Sequence, residues 1–350
     1  MPFYYTINSE DPSERRAAEN LLELKKAFGK EGIPERTVDE TLLLATWNIR
    51  EFGGTKYGGR KKESLFYIAE IISRFDLVAV QEVRSDLTAL KKLMEILGGW
   101  WKFVVTDVTA GSRGNSERMA FLYNTKKISF GGLAGEIVIP PTKEKGGKEY
   151  KPAEQLARTP FVVGFRSGWF KFQICTTHIL YGKAVAEDPE RVKEIELLSE
   201  FLAKKAEDKN SWAKNLIMLG DYNIFSTEDI TLKAIKKAGF KIPKALQSIP
   251  SNVPQDKFYD QIAFIAPEVD NQLESSKAGV FNFFKYIYRE NDGDMYAEEM
   301  GEKYKKAKNK KNYYKTWRTY KMSDHLPMWI ELKIDFGEEY LKSKSKEPKK

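Results

Sequence analysis

The sequence predicts an α/β (α+β) domain of mixed, largely antiparallel β-sheets with helices on their outer sides, and three observations predict it. Short apolar strand patterns alternate with amphipathic helical ones from about Leu42 to Ile334. Polar residues sit at the ends of those strands: Asn48, Glu82, His178 and Asp221 follow C-terminal ends, whereas Asp260 and His325 precede N-terminal ends. All six meet at one rim only if strands of both directions share the sheets, which disfavours a doubly wound parallel sheet. Finally, no fixed-period repeat or linker divides the chain, and 350 residues with 41% hydrophobic content can bury a large core.

Asp11-Pro12 reads as a helix start, with a capping Asp and a Pro in the first turn. The helical pattern over residues 13–28 puts Leu21, Leu22, Leu24 and Phe28 on one stripe. Residues 1–40 are therefore read as a helical appendage to a body spanning 41–340. That body opens with a strand at 42–46, leading into Trp47-Asn48 and a Gly-rich basic loop at 53–62. A helix at 63–75 leads to a strand at 77–80, which exits into Gln81-Glu82. Asp86 is placed to cap a helix that runs to Leu97 and is closed by Gly98-Gly99. Strand patterns recur at 103–106, 119–123, 161–165 and 170–176, the last leaving at Thr177-His178. Asp188-Pro189 opens a helix to about Ala206, and an apolar strand at 216–219 runs into Gly220-Asp221-Tyr222-Asn223. Thr227 is expected to cap a helix ending at Gly239, and late strands fall at 262–266 and 328–334. Residues 341–350 read as a disordered Lys/Ser tail.

Chemistry concentrates at the strand ends. Residues two apart in an extended segment project to the same side, so Asp221 and Asn223 offer a proton acceptor and a neutral donor to one point. Phosphate ester hydrolysis uses that combination. Taken alone, Gly-Asp-x-Asn is equally ordinary turn chemistry; the other strand ends decide the matter. Both histidines of the chain, His178 and His325, occupy strand-end polar clusters, where they are expected to lie outside the core. Asn48 and Glu82 supply hard oxygens suited to Mg²⁺, with Mn²⁺ able to substitute. No Cys or His cluster with zinc spacing exists.

The single cysteine, Cys175, lies in an apolar run and reads as a buried, inert thiol that precludes an intrachain disulfide. The first residues lack the basic and apolar regions of a signal peptide, and no apolar run is long enough to span a bilayer. The expectation is a cytoplasmic protein with no membrane association and no obligate protein partner. Charge is unevenly placed. Residues 302–321 carry nine Lys/Arg and one Glu, and residues 342–350 five Lys and one Glu, so of the net +8 the remainder holds −4. An acidic body suits a divalent cation, and basic stretches suit a polyanion. Within an insertion near 280–321, Lys305, Lys306, Lys310 and Lys311 are placed to neutralise phosphates and Trp317 to stack on a base. The plainer alternative is a solvated insertion kept soluble by lysine.

TWNIR, VQEVR, TTHIL, GDYNI, FYDQI and MSDHLP, in this order between about Leu42 and Leu332, resemble the endonuclease/exonuclease/phosphatase superfamily. ATWNIREFGGTK, AVQEVRSDLTAL, SERMAFLYN, LARTPFVVGFRS and the AVAE before the long helix are most similar to its deoxyribonuclease I branch. The resemblance implies a four-layer sandwich, two sheets face to face with helices outside, and a Mg²⁺-dependent phosphodiesterase at one rim of residues 41–340. It implies that Asn48 and Glu82 lie at the metal, with Asp324 a further acid nearby. It makes Asp221 the acid that activates or positions water and Asn223 a donor to the transition state. His178 and His325 would flank the phosphate, with Glu117 and Asp260 as their respective carboxylate partners. Arg84 and Arg158 would contact DNA and the phosphate. The chain departs from the branch where a DNA-stacking tyrosine is expected, at Asn115. DNA endonuclease is the leading reading. The alternatives are a phosphatase or lipid phosphodiesterase of phosphoinositide or sphingomyelin type, an abasic-site repair nuclease, and a non-catalytic nucleic-acid-binding protein.

Overall fold

Leu42 to Ile49 alternate between two hydrophobic cores, and that alternation sets the architecture. The computed structural model describes residues 1–111, 113–143 and 149–345. In chain order its strands are β1 Thr41–Phe52, β2 Leu77–Arg84, β3 Trp101–Val105, β4 Glu117–Asn124, β5 Ser129–Glu136, β6 Thr142–Lys143, β7 Tyr150–Lys151, β8 Phe161–Ser167, β9 Phe170–His178, β10 Asn215–Asp221, β11 Asp260–Ile265, β12 Ala278–Val280 and β13 Met328–Lys333. The helices are α1 Pro12–Lys30, α2 Lys62–Ser73, α3 Thr88–Leu97, α4 Pro189–Glu207, α5 Ile230–Lys237, α6 Ala297–Lys305, α7 Lys310–Lys321 and α8 Gly337–Lys344. Among the described residues no helix is long and apolar enough to cross a membrane.

Leu42 and Leu44 of β1 enter a core shared with the second sheet, while Leu43, Ala45, Trp47 and Ile49 enter a core shared with α1, α2 and α3. A strand buried on both faces reads as a continuous apolar run, as this one does. One sheet is ordered β12-β13-β1-β2-β4-β3 and the other β11-β10-β9-β8-β5, with β6 and β7 forming a small ribbon. Ile195, Leu198 and Leu202 of α4 and Leu232 and Ile235 of α5 cover the second sheet. The result is the mixed-sheet, four-layer sandwich that the sequence predicts. Each sheet holds one parallel pair, β1/β2 and β9/β10, and is otherwise antiparallel. In register, Asp221 of β10 lies between His178 of parallel β9 and Asp260 of antiparallel β11. That mixed pairing brings strand starts and strand ends to one rim.

Several local expectations need correction. Leu22 is 59% exposed, because the buried face of α1 is Ala17, Leu21, Leu24 and Phe28, and a residue one step on is turned by about 100°. Asp86 accepts from the Thr88 N–H at 2.9 Å but precedes the cap position, which Leu87 occupies. Asp229, not Thr227, stands at the start of α5. The edge strand β5 carries no strand signal in its sequence, because SFGGLAGE has neither alternation nor bulk. Its Gly131 faces the Trp212 ring, which a Cβ would meet at 2.1 Å. Where a disordered tail is expected, residues 341–344 complete α8, and residues 346–350 lie outside those described.

The insertion is a packed lobe. Phe281, Phe283, Tyr288, Tyr296, Tyr304, Tyr314 and Trp317 join α1 and α2 in the core beneath the first sheet. Tyr314, Trp317, Arg318 and Lys321 of α7 are buried at helical spacing. Its aromatic residues therefore point mostly inward and its lysines, Lys321 excepted, outward.

Candidate active site

Asp221 closes β10, and three side chains and one backbone N–H converge on its carboxylate. Oδ2 accepts from Asn48 Nδ2 at 2.9 Å and lies 3.5 Å from His178 Nε2 and 3.6 Å from His325 Nε2. Oδ1 accepts from the Asn223 backbone N–H at 2.9 Å. Gly220 makes this approach possible: its φ is +135°, and a Cβ there would sit 2.1 Å from the Thr177 carbonyl oxygen of β9.

Each histidine is held from behind by a carboxylate. Glu117 Oε2 lies 2.9 Å from His178 Nδ1 and accepts from Arg158 Nε at 2.9 Å. Its other oxygen accepts from Asn115 Nδ2. Asp260 Oδ2 lies 2.8 Å from His325 Nδ1, and the Tyr259 ring packs on the imidazole at 5.4 Å. A carboxylate on Nδ1 fixes the tautomer and turns Nε2 toward Asp221. Burial would lower the pKa of His325, but the Asp260 and Asp221 charges outweigh it and hold the imidazolium well above its ordinary range. Burial pushes Asp260 itself up. Burial would raise Glu117 too, but His178, Arg158 and Asn115 win and keep its carboxyl well below the usual carboxylate range. Both histidines are buried, contrary to the expectation that strand-end polar residues lie outside the core.

Glu82 lies inside β2, where pairing with β4 slips between Val80 and Val83. Its φ is +61°, a left-handed conformation that costs a residue with a side chain about 1–3 kcal/mol. Such a bulge re-aims a side chain. Here it puts Oε1 3.0 Å from Asn48 Nδ2, while Oε2 accepts from the Glu51 N–H at 2.8 Å. Asn48 Oδ1 is buried with no hydrogen-bond partner. An orphaned amide oxygen beside a carboxylate is a donor set that fits a hard divalent cation. Glu82, Glu117 and His178 also place ligand atoms within 4.8 Å of one another. Two of the three metal-site residues expected from sequence thus meet. The third, Asp324, is 40% exposed at its side chain and pairs with Arg50 Nη1 at 3.1 Å.

Asn223 is close by, but its Nδ2 donates to the Ile179 carbonyl at 2.8 Å, so its amide holds the turn after β9. Arg158 keeps a buried Nη1 with no partner. Arg84 donates to the Asn115 carbonyl at 2.8 Å and faces Glu51 at 3.4 Å. Lys305, Lys306, Lys310 and Lys311 are exposed; Lys305 pairs with Glu302 and Lys311 with Glu290, each at 2.8 Å. Trp317 is a correction. It is 1% exposed, its ring 5.4 Å from that of Tyr296 and 5.8 Å from that of Tyr288, so no base can stack on it.

Other contributors escaped the sequence reading. Ser323 Oγ donates to the Asn48 carbonyl at 2.6 Å and accepts from the N–H groups of Arg50 and His325, tying the His325 segment to β1. Gln81 Nε2 donates across the sheets to Thr176 Oγ1 at 2.8 Å. Nothing in their spacing marks them, because their partners lie far away in sequence.

No family model matches the chain. It is 27% identical to Deoxyribonuclease-1 of Oryctolagus cuniculus over 259 residues, covering 69% of this chain and 84% of that protein. It is 30% identical to a Deoxyribonuclease of Thioalkalivibrio sp. over 191 residues, 52% of this chain and 46% of that one. Among solved structures, an endonuclease/exonuclease/phosphatase family protein from Bacteroides thetaiotaomicron superposes with a TM-score of 0.53 at 17% identity, over 84% of this chain and 95% of that one. The human Nocturnin catalytic domain superposes with a TM-score of 0.52 at 14% identity, over 85% and 96%. With the ordered strand-end residues assembled, the chain is similar in sequence to deoxyribonucleases and shares its fold with the endonuclease/exonuclease/phosphatase family protein.

Proposed function

We propose that the chain is a Mg²⁺-dependent endonuclease that hydrolyses phosphodiester bonds in DNA. The observation that carries this reading is the convergence of Asn48, His178 and His325 on Asp221 Oδ2, beside Glu82 and the orphaned Asn48 Oδ1. Glu82 and Asn48 would hold the cation. When bound, it supplies positive charge to the phosphoryl oxygens. Asp221 takes a proton from the attacking water, and the donors around it keep its carboxylate aimed. His325, charged and backed by Asp260, donates from Nε2 to a phosphoryl or leaving oxygen, with His178 backed in the same way by Glu117. The unpartnered Nη1 of Arg158 is a further donor for the phosphate. Asn223 acts by holding the turn, and Asp324 orients Arg50.

Supercoiled plasmid offered with Mg²⁺, Mn²⁺ or a chelator, beside phosphoinositide and sphingomyelin, tests the proposal. Metal-dependent nicking of plasmid is expected. Hydrolysis of a phospholipid with no nicking would overturn the DNA reading while leaving the phosphoesterase chemistry in place.

A further inference from the structure

One cation of the insertion and one of the Gly-rich loop bond backbone carbonyls. Lys321 Nζ donates to the carbonyls of Tyr57, at 2.7 Å, and of Gly59. The Arg60 guanidinium donates to the carbonyls of Glu51, at 2.9 Å, Met322, at 3.1 Å, and Arg50. Together they fasten the Gly-rich basic loop, residues 53–60, to α7 and to the end of β1. A loop fixed this way can hold a conformation it would not adopt alone. Tyr57 shows the consequence, with φ at +54° and a side chain 37% exposed.

The Tyr57 ring meets those of Tyr320 at 4.8 Å and Tyr313 at 5.7 Å. Between this loop and α6–α7 opens a cleft of about 650 Å³, lined among others by Thr55, Lys56, Tyr57, Lys303 and Tyr313. Arg50 stands between the cleft and the candidate active site. Its guanidinium lies 4.0 Å over the Tyr320 ring and pairs at 3.1 Å with Asp324, the neighbour of His325. The cleft thus has the volume of a small-ligand site, aromatic rings on its wall, the Glu299 carboxylate, and two lysines at its edge, of which Lys56 pairs with Glu51 at 2.6 Å. Contacts through Tyr320, Arg50 and Asp324 link it to His325 of the candidate active site.

We propose that this cleft is a subsite for an unpaired nucleotide of the strand being cut, its base against Tyr57 and Tyr313 and its phosphate against Lys56 and Lys303. The inference rests on the nucleic-acid reading above. Base faces within a duplex are covered by their neighbours, so a stacking wall reads only strands whose bases are free. Recognition here therefore favours single-stranded, frayed or gapped DNA.

The test is fluorescence anisotropy in chelator with the full chain, using a short labelled single strand and a blunt duplex of the same sequence. Tyr57→Gly suits the left-handed backbone, and Tyr313→Ala provides a second, independent variant. Each should raise Kd for the single strand about fivefold or more and leave duplex binding unchanged. A 2-aminopurine in the strand should be quenched by the parent and not by Tyr57→Gly. Unaltered single-strand affinity in both variants would overturn the subsite. So would equal weakening of strand and duplex, which would mark a backbone contact. A parent that binds neither form overturns the nucleic-acid reading, and this inference with it.

Discussion

Asn48 and Asp221 belong to different sheets, and the hydrogen bond between them, Nδ2 to Oδ2 at 2.9 Å, joins the two rims into one site. The same amide nitrogen lies 3.0 Å from Glu82, so one side chain ties the candidate proton acceptor to the candidate metal ligand. Its oxygen is buried with no hydrogen-bond partner.

Glu82→Gln is expected to lose most of the metal-dependent phosphodiester hydrolysis. Mg²⁺ affinity, read by calorimetry, should weaken by more than roughly tenfold, since even residues that only support metal ligands cost that much. The backbone strain at this position stays, so the melting temperature should barely move. Full turnover by metal-free protein in excess chelator would refute the assignment.

His178→Ala and His325→Ala should each lower kcat by about 10²-fold or more. Both also take a histidine partner from a buried carboxylate: Asp260 loses the imidazole on its Oδ2, and Glu117 is left with Arg158 and Asn115. A stability loss of about 1–3 kcal/mol in urea denaturation is therefore expected alongside. Activity must be expressed per folded molecule; a variant that is less stable but fully active on that basis marks a structural histidine.

The two pairs respond to pH in opposite directions. The folded pKa of His325 is raised, so its stabilisation is complete below the ordinary imidazole value of about 6.5 and is lost as pH climbs through the elevated one. The stability gap between parent and His325→Gln should be widest on the acid side of that window and close in alkali. Glu117 is depressed, so its contribution is complete above 4.5 and is lost as pH falls toward its lowered value. The gap to Glu117→Gln should accordingly narrow in acid. Urea melts at a series of pH values check both signs.

Changing Lys305, Lys306, Lys310 and Lys311 together to Glu should weaken DNA binding and flatten its dependence on salt, because fewer counterions are released. These lysines are exposed and not part of the core, so folding should survive. Trp317→Ala should do the reverse, costing about 3–5 kcal/mol of stability as a buried aromatic ring is removed. Unaltered salt dependence in the lysine variant would show that this face touches no DNA.

Sequence alone determined that strands of both directions were needed, since Asn48, Glu82, His178, Asp221, Asp260 and His325 could share a rim no other way. It also picked out Asp260 and Glu117 as histidine partners through a likeness spread over six ordered motifs. Tertiary structure alone decided the rest. That Glu82 reaches Asn48 depends on a bulge and a left-handed backbone, and a string of residue types carries no mark of φ. The insertion misled for a different reason: lysine and aromatic residues interleaved along a chain look alike whether the rings meet a ligand or a core. The helical turn of α7 sorted them, sending Tyr314 and Trp317 inward and Lys310 and Lys311 outward. Tyr57, Tyr313 and Tyr320 remained partly accessible because Lys321 and Arg60, far from their loop partners in sequence or bonded across it, clamp the backbone from within. Local residue types set which chemistry is available; long-range hydrogen bonds, which leave no periodic trace in sequence, set where it points.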